Sequence, residues 1–331
     1  MADNKGVMIL AETADGKLAA IATELLGAGR KLADDLGEEL SAVLVGSDVG
    51  GLTAEVIAFG ADKVYVVDDA LLKEYQTDSY TEALTRVAGQ APPKVLLLGQ
   101  TSIGRDLAPR LAFRLNTAVS MDCVELAIDP DSKQLLQTKP VYGGSARAIY
   151  TPDSLPSMAT LRVKAGEPLA RDDSRKGEVV NVDAGLDASA IRATVVETKL
   201  EEVEGIKLED AAIIVSGGRG MGGPEGFKEL EGLAKVLKGA LGASRPPCDN
   251  GWVPDTIQVG LTGKIVSPDV YIAVAISGSS QHLAGCGGSK TIVAINRDPE
   301  ANIFKEAAFG VVGDWKKVVP AFMEKVKGLL A

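Results

Sequence analysis

Residues 276 to 290 read ISGSSQHLAGCGGSK, and inside that run of serines and glycines stands His282, the single histidine of a 331-residue chain. Ser277, Gly278, Ser279, Ser280 and Gln281 offer backbone amides and short hydroxyls before a helix turn that starts near His282, a combination that makes a neutral cradle for an anion. One histidine cannot build a metal cluster, and no serine, cysteine or carboxylate near it in sequence makes an obvious nucleophile and base pair. A solitary imidazole is more often a satisfied structural residue than a catalytic one. The chemistry left to it is that of a hydrogen-bond donor, or an electrostatic tuner, for something bound.

A second cluster precedes it. Gly218, Gly220 and Gly223 satisfy GxGxxG after an apolar run and before a helix, the setting in which backbone can approach a pyrophosphate at a helix start. The dinucleotide fingerprint also wants an acidic residue about 20 positions on; here the next apolar run, GALGAS, ends in Ser244 and Arg245. NAD is therefore disfavoured, while a 2′-phosphate or another use of the arginine stays open. Arg219, within the glycine turn, can hold phosphate or carbonyl oxygens bidentately, although a loop arginine is commonly just solvated. From Ser244 to Asp269 the chain is irregular but stiffened by Pro246, Pro247, Trp252 and Pro254, and it sets the Thr262 hydroxyl beside Gly263.

The elements that must position these residues are strands and helices in alternation. GVMILAE, a helix around Leu18 to Leu36, LSAVLVG, TAEVIAFG, KVYVVDD, TEALTRVAGQ and PPKVLLLG predict a parallel sheet in the first half. The turn from Gly99 to Arg105 fits a plain strand-to-helix connection better than a phosphate loop. Between Met121 and Val163 shorter segments, LLQTKP, SARAIY and SMATLRV, predict an added antiparallel portion. Residues 164 to 205 mix charge with Gly, Asp and Pro, and the seam is placed there. The fold class expected is α/β, with two Rossmann-like parallel-sheet domains over 1–200 and 206–331.

Composition narrows the function. Lys and Arg number 35 against 45 Asp and Glu, a net charge of -10, with no basic stripe for a nucleic acid backbone. No apolar run nears the roughly 20 residues of a membrane span, and the amino terminus reads as neither secretion signal nor transit peptide. Cys123, Cys248 and Cys286 lie far apart without a CxxC pair, so no metal site is expected and a reducing, cytoplasmic compartment fits best. The residues alone leave open an NADP-linked dehydrogenase and a non-catalytic adenine-nucleotide-binding protein.

Taken together, SGGRG, GASR, VGLTGK, SGSSQHLAG, SKTIVAIN, DPEANIF and GVVGDW, with GRDLAPRLAFRLNTAVSMDC, KPVYGGSARA and LPSMATLR in the first half, resemble the alpha subunit of electron transfer flavoproteins. The resemblance implies a carboxyl-terminal domain that holds FAD and a heterodimer with a beta subunit carrying AMP or a second FAD. Electrons would arrive from acyl-CoA or other dehydrogenases, or from NADH through the beta subunit, and leave to a quinone reductase or another acceptor. The chain would be an electron carrier that does not catalyse alone. It also implies that Arg219 touches the cofactor, that Ser244 and Arg245 lie at the isoalloxazine ring, and that Val259, Gly260, Leu261 and Thr262 pass its edge. Ser277 to His282 would wrap the pyrophosphate and reach the ring, with Asn296, Asp314 and Trp315 toward the adenosine end. Arg245, Thr262 and His282 would set the redox potential.

This sequence departs from the family pattern at Leu261, where glutamine is usual, at Ser279 and Ser280, which replace an Ala-Ile pair, and at Cys286, which replaces methionine. The segment IAFGADKVYVVDDALLKEYQTDSYTEAL looks most like versions from anaerobes, some of which bifurcate electrons with a second flavin in the beta subunit.

Overall fold

The computed structural model describes residues 4–330 except 145, 192, 194 and 198–205. Part of the polar stretch read as a seam lies outside the described residues. The chain forms two compact units, Met1–Val141 with Arg147–Thr198, and Tyr142–Ala146 with Lys199–Ala331. Each is built on a parallel sheet.

In the first unit, β1 (Val7–Leu10) leads through a short hairpin, β2 (Thr13–Ala14) and β3 (Lys17–Leu18), into α1 (Ala20–Leu36), which stops at Gly37 in the left-handed conformation. There follow β4 (Leu40–Gly46), α2 (Thr53–Ala58), β5 (Lys63–Asp68), α3 (Thr77–Gln90), β6 (Val95–Gly99) and α4 (Ser102–Arg114). Then come β7 (Val119–Cys123), β8 (Glu125–Ile128), β9 (Leu135–Val141), β10 (Ala146–Tyr150), β11 (Ser157–Leu161) and β12 (Glu178–Asn181). The seven-stranded sheet has the order β12-β5-β4-β1-β6-β11-β7, and every pairing in it is parallel. Buried clusters on its two faces form the core.

Two expectations are corrected here. SMATL is not antiparallel: β11 runs parallel between β6 and β7, and all five of its residues are buried. A strand covered on both faces reads as a continuous run, not as an alternation. The antiparallel portion shrinks to the small sheet β10-β9-β8, in which β8 and β9 pair antiparallel. The polar stretch after Val163 also contributes β12, which adds to the sheet beside β5.

The second unit runs β13 (Ile213–Gly217), α5 (Pro224–Val236), β14 (Ala240–Ala243), α6 (Arg245–Asp249), β15 (Val270–Val274), α7 (Ser280–Cys286), β16 (Thr291–Asn296), α8 (Ile303–Glu306), β17 (Phe309–Val312) and α9 (Trp315–Leu330). Its sheet is parallel throughout, in the order β14-β13-β15-β16-β17. From β13 the chain goes first to one side, to β14, and then crosses to β15 on the other. Ligands of open α/β sheets bind in the crevice at such a reversal, outside the carboxyl ends of the strands. Proline at the first position of α5 suits a helix start, where its missing N–H costs nothing.

Candidate functional site

The same reversal occurs in both units, with opposite outcomes. In the first, β1 stands between β4 and β6, and the crevice at its carboxyl end is filled by the chain itself. The Glu12 carboxylate accepts the Thr101 hydroxyl at 2.8 and 2.9 Å, and Thr101 Oγ1 accepts the Gly104 amide at 3.0 Å to cap α4. Burial pushes the Glu12 carboxyl up to about 7, against the lowering effect of the Thr101 hydrogen bond. A carboxylate already lies where an anion would dock, so the turn after Gly99 is a strand-to-helix connection.

In the second unit the crevice is open and polar. Gly218 follows β13 and donates its amide to Val274 O at 2.9 Å. A Cβ on Gly218 would stand 2.2 Å from Ala275 O, so only glycine lets these two strand ends lie together. The turn Arg219–Met221 follows, with Arg219 and Gly220 exposed. Ala275, across the crevice, holds φ +53, the left-handed region, without being glycine. Gly278 (φ +80) packs so closely under the following segment that a Cβ would meet Ile303 N at 2.3 Å.

Ser244 is buried at the end of β14, donating its amide to Gly217 O at 3.0 Å, and Arg245 is exposed beside it. Arg245 opens α6, and its Nε reaches Asp249 at 3.1 Å one turn on. Val259 donates to Ala243 O at 2.8 Å, which lays residues 258–264 along the edge of β14. Three contacts clamp this loop to α7: Leu261 N to Gln281 O at 2.8 Å, Val266 N to Gly285 O at 2.8 Å, and Gly285 flush on Gly260. The Thr262 hydroxyl accepts from Gln258 Nε2 at 3.1 Å, so its own proton points to other acceptors. Leu261 is 57 % exposed, an apolar side chain at the rim where an amide is usual.

Ser277, Ser279, Ser280 and Gln281 are exposed in a row, while Gly278 and His282 are buried. The Ser280 and Gln281 amides fall in the first turn of α7, where no intrahelical acceptor exists. Asn296 donates to Ile276 O at 2.8 Å and Trp315 Nε1 to Gly220 O at 3.2 Å, which ties β16 and α9 to the crevice lining. Asp314 accepts the Lys316 amide at 3.0 Å and caps α9. Asn296 and Trp315 are thus bonded to residues 276 and 220, in the segments that follow β15 and β13, whereas the bond of Asp314 stays within its own helix end.

His282 is the exception in orientation. It is 5 % exposed, with Nδ1 3.0 Å from Val259 O and Nε2 3.0 Å from Tyr271 Oη. Burial brings its pKa down to about 4, against the raising effect of the Val259 carbonyl, so the ring is neutral at physiological pH. As it stands, it is a buried, fully partnered residue behind the crevice and not a cation within it. Two residues that sequence inspection passed over complete this arrangement: Tyr271, inside the apolar run VYIAVAI, and Ser216, inside IIVSG. A hydroxyl amid unbroken apolar residues is the signal that marks each. Among the described residues there is no cluster of His, Cys, Asp and Glu suited to a metal ion, and no helix is long and apolar enough to cross a membrane.

Comparison with known families and proteins agrees with this layout. The electron transfer flavoprotein domain matches residues 7–187, and the electron transfer flavoprotein FAD-binding domain matches residues 207–287. The electron transfer flavoprotein subunit alpha of Thermoanaerobacterium thermosaccharolyticum is 49 % identical over 330 residues, covering 99 % of this chain and 100 % of that protein. The subunit of the same name from Megasphaera elsdenii is 45 % identical, covering 99 % of this chain and 98 % of its own. Protein FixB of Clostridium saccharobutylicum is 41 % identical, covering 100 % and 99 %.

Proposed function

Because the chain belongs to the electron transfer flavoprotein alpha-subunit family, we propose that it carries FAD in the crevice of its second unit and relays electrons as one half of a heterodimer. Membership of the family makes a beta subunit its partner. The observation that supports the FAD assignment is that the segments following β13, β14 and β15 carry three exposed serines, an exposed glutamine and two exposed arginines, while Gly218 and Gly278 leave no room for a side chain.

These residues fit an anionic, partly aromatic guest. Ser277, Ser279 and Ser280 supply donors for a pyrophosphate, and Arg219 supplies a permanent positive charge from the opposite lip. Leu261 and Thr262 offer an apolar surface and a hydroxyl donor to a ring edge. When bound, the flavin supplies reversible one- and two-electron chemistry, which the side chains of this chain lack. Arg245 would supply a cation to the ring, and a fixed positive charge where reduction adds negative charge would raise the ring's electron affinity.

The one imidazole is buried with both nitrogens engaged, so it is not available as the acid–base group of an NADP-linked dehydrogenase. Dehydrogenases are the electron source in this reading, and a quinone reductase or another acceptor the destination. A beta subunit holding a second flavin or AMP, and through it NADH oxidation with bifurcation, extends the same reading. The test is co-expression with the beta subunit: a yellow complex with flavin retained on gel filtration is expected, and a colourless complex in the presence of excess FAD would overturn the proposal.

A further inference from the structure

Tyr271 is the second residue of β15, fully buried, and its hydroxyl joins His282 directly to that strand. The two hydrogen bonds of the imidazole can be assigned without ambiguity. Val259 O can only accept, so Nδ1 carries the ring hydrogen and donates to it. A neutral ring then has a lone pair at Nε2, so the Tyr271 hydroxyl must donate. The phenol oxygen keeps acceptor capacity. Ser216 Oγ, wholly buried, lies close enough to affect the ionisation of the phenol but short of a formed hydrogen bond, and the Cys286 thiol also lies near enough to affect it.

We propose that Tyr271 is a positioning residue: by donating to Nε2 it holds His282 as the neutral Nδ1–H tautomer, and through the Nδ1 to Val259 bond it fixes the 258–262 loop against α7. In addition to the three contacts already given between that loop and α7, this bond runs on through the imidazole and the phenol into β15. The exposed Leu261 and Thr262 begin two residues after Val259, so the phenol, at the far side of the ring, sets the posture of the crevice rim. The ionisable groups around the imidazole are Tyr271 on β15 and Cys286 on its own helix, with Glu306 beyond Cys286. The Val259 side of the ring contributes a carbonyl.

The inference rests on the FAD reading only for its redox consequence. The chain contains one histidine, so in a heterodimer whose alpha chain alone is 15N-histidine-labelled its ring nitrogens give one set of signals, identified by their disappearance in His282→Gln. In the unsubstituted complex Nδ1 should show the protonated shift and Nε2 the unprotonated one, without titration above about pH 5. In Tyr271→Phe, loss of one donor to the neutral ring should raise the imidazole pKa by roughly one unit, a tenfold gain in proton affinity. The flavin midpoint potential, measured against pH, should then bend where that imidazole titrates.

A protonated Nε2 in the unsubstituted complex, or an imidazole unchanged in Tyr271→Phe, would overturn the proposal. So would a changed imidazole beside an unchanged potential profile in a flavin-loaded complex. Should Tyr271→Phe fail to fold, the tautomer of the unsubstituted complex still decides. A colourless complex would count against the FAD reading alone, because the imidazole signals need no flavin.

Discussion

Lowering the pH should loosen the second unit, and His282 sets by how much. Its pKa is 6.5 in an unfolded chain and about 4 in the folded one. Above pH 6.5 the ring is neutral in both states and the contribution to stability is fully present. Between 6.5 and 4 the unfolded chain binds a proton that the folded one refuses, so stability falls with pH. At about 1.4 kcal/mol per unit, the 2.5-unit gap corresponds to a loss of about 3 kcal/mol by pH 4. Both tryptophans, Trp252 and Trp315, lie in the second unit. Tryptophan emission during urea unfolding therefore reports on that unit alone, with flavin concentration fixed because occupancy shifts apparent stability. The comparison is with His282→Gln, which is less stable at pH 7.5 but should lack this slope. Equal slopes in the two proteins between pH 6.5 and 4.5 would refute the reasoning.

The first unit should respond in the opposite sense. The Glu12 carboxyl is raised from 4.5 to about 7 in the folded state, so its contribution is fully present below pH 4.5 and lost as the pH rises through 7. Glu12→Gln, monitored by far-ultraviolet circular dichroism, should remove a penalty of about 3 kcal/mol at pH 8, and no gain at that pH would contradict the buried carboxylate. Ala275→Gly should stabilise the second unit by about 1 kcal/mol in urea unfolding, since a left-handed φ costs a Cβ-bearing residue that much. Arg245→Ala should lower the flavin midpoint potential or weaken FAD retention, and an unchanged redox titration at full occupancy would exclude it from the ring.

Much of this arrangement is legible in the sequence because the crevice is made of backbone. Glycines at 218 and 278, serines at 277, 279 and 280 and an arginine after the edge strand are visible as residue types, and strand–loop–helix alternation places them at one end of a sheet. What stays hidden depends on direction and on pairing. SMATL reads as one more short strand until its complete burial shows it inside the large sheet. RPPCD reads as irregular because its prolines, placed in the first turn of α6, are compatible with a helix start. His282 follows a row of exposed polar residues, yet Tyr271 and Val259 hold its ring in the core, a pairing that no spacing along the chain reveals. The Glu12 plug is equally non-local, since its partner Thr101 is 89 residues away.

The central claim is that the carboxyl-terminal crevice of this chain holds the flavin. A crystal structure of the heterodimer grown with FAD tests it most directly: difference density for a three-ring system should lie against Val259–Thr262, with a pyrophosphate beside Ser277–Gln281. Flavin density confined to the beta subunit, with solvent at those loops, would contradict the account.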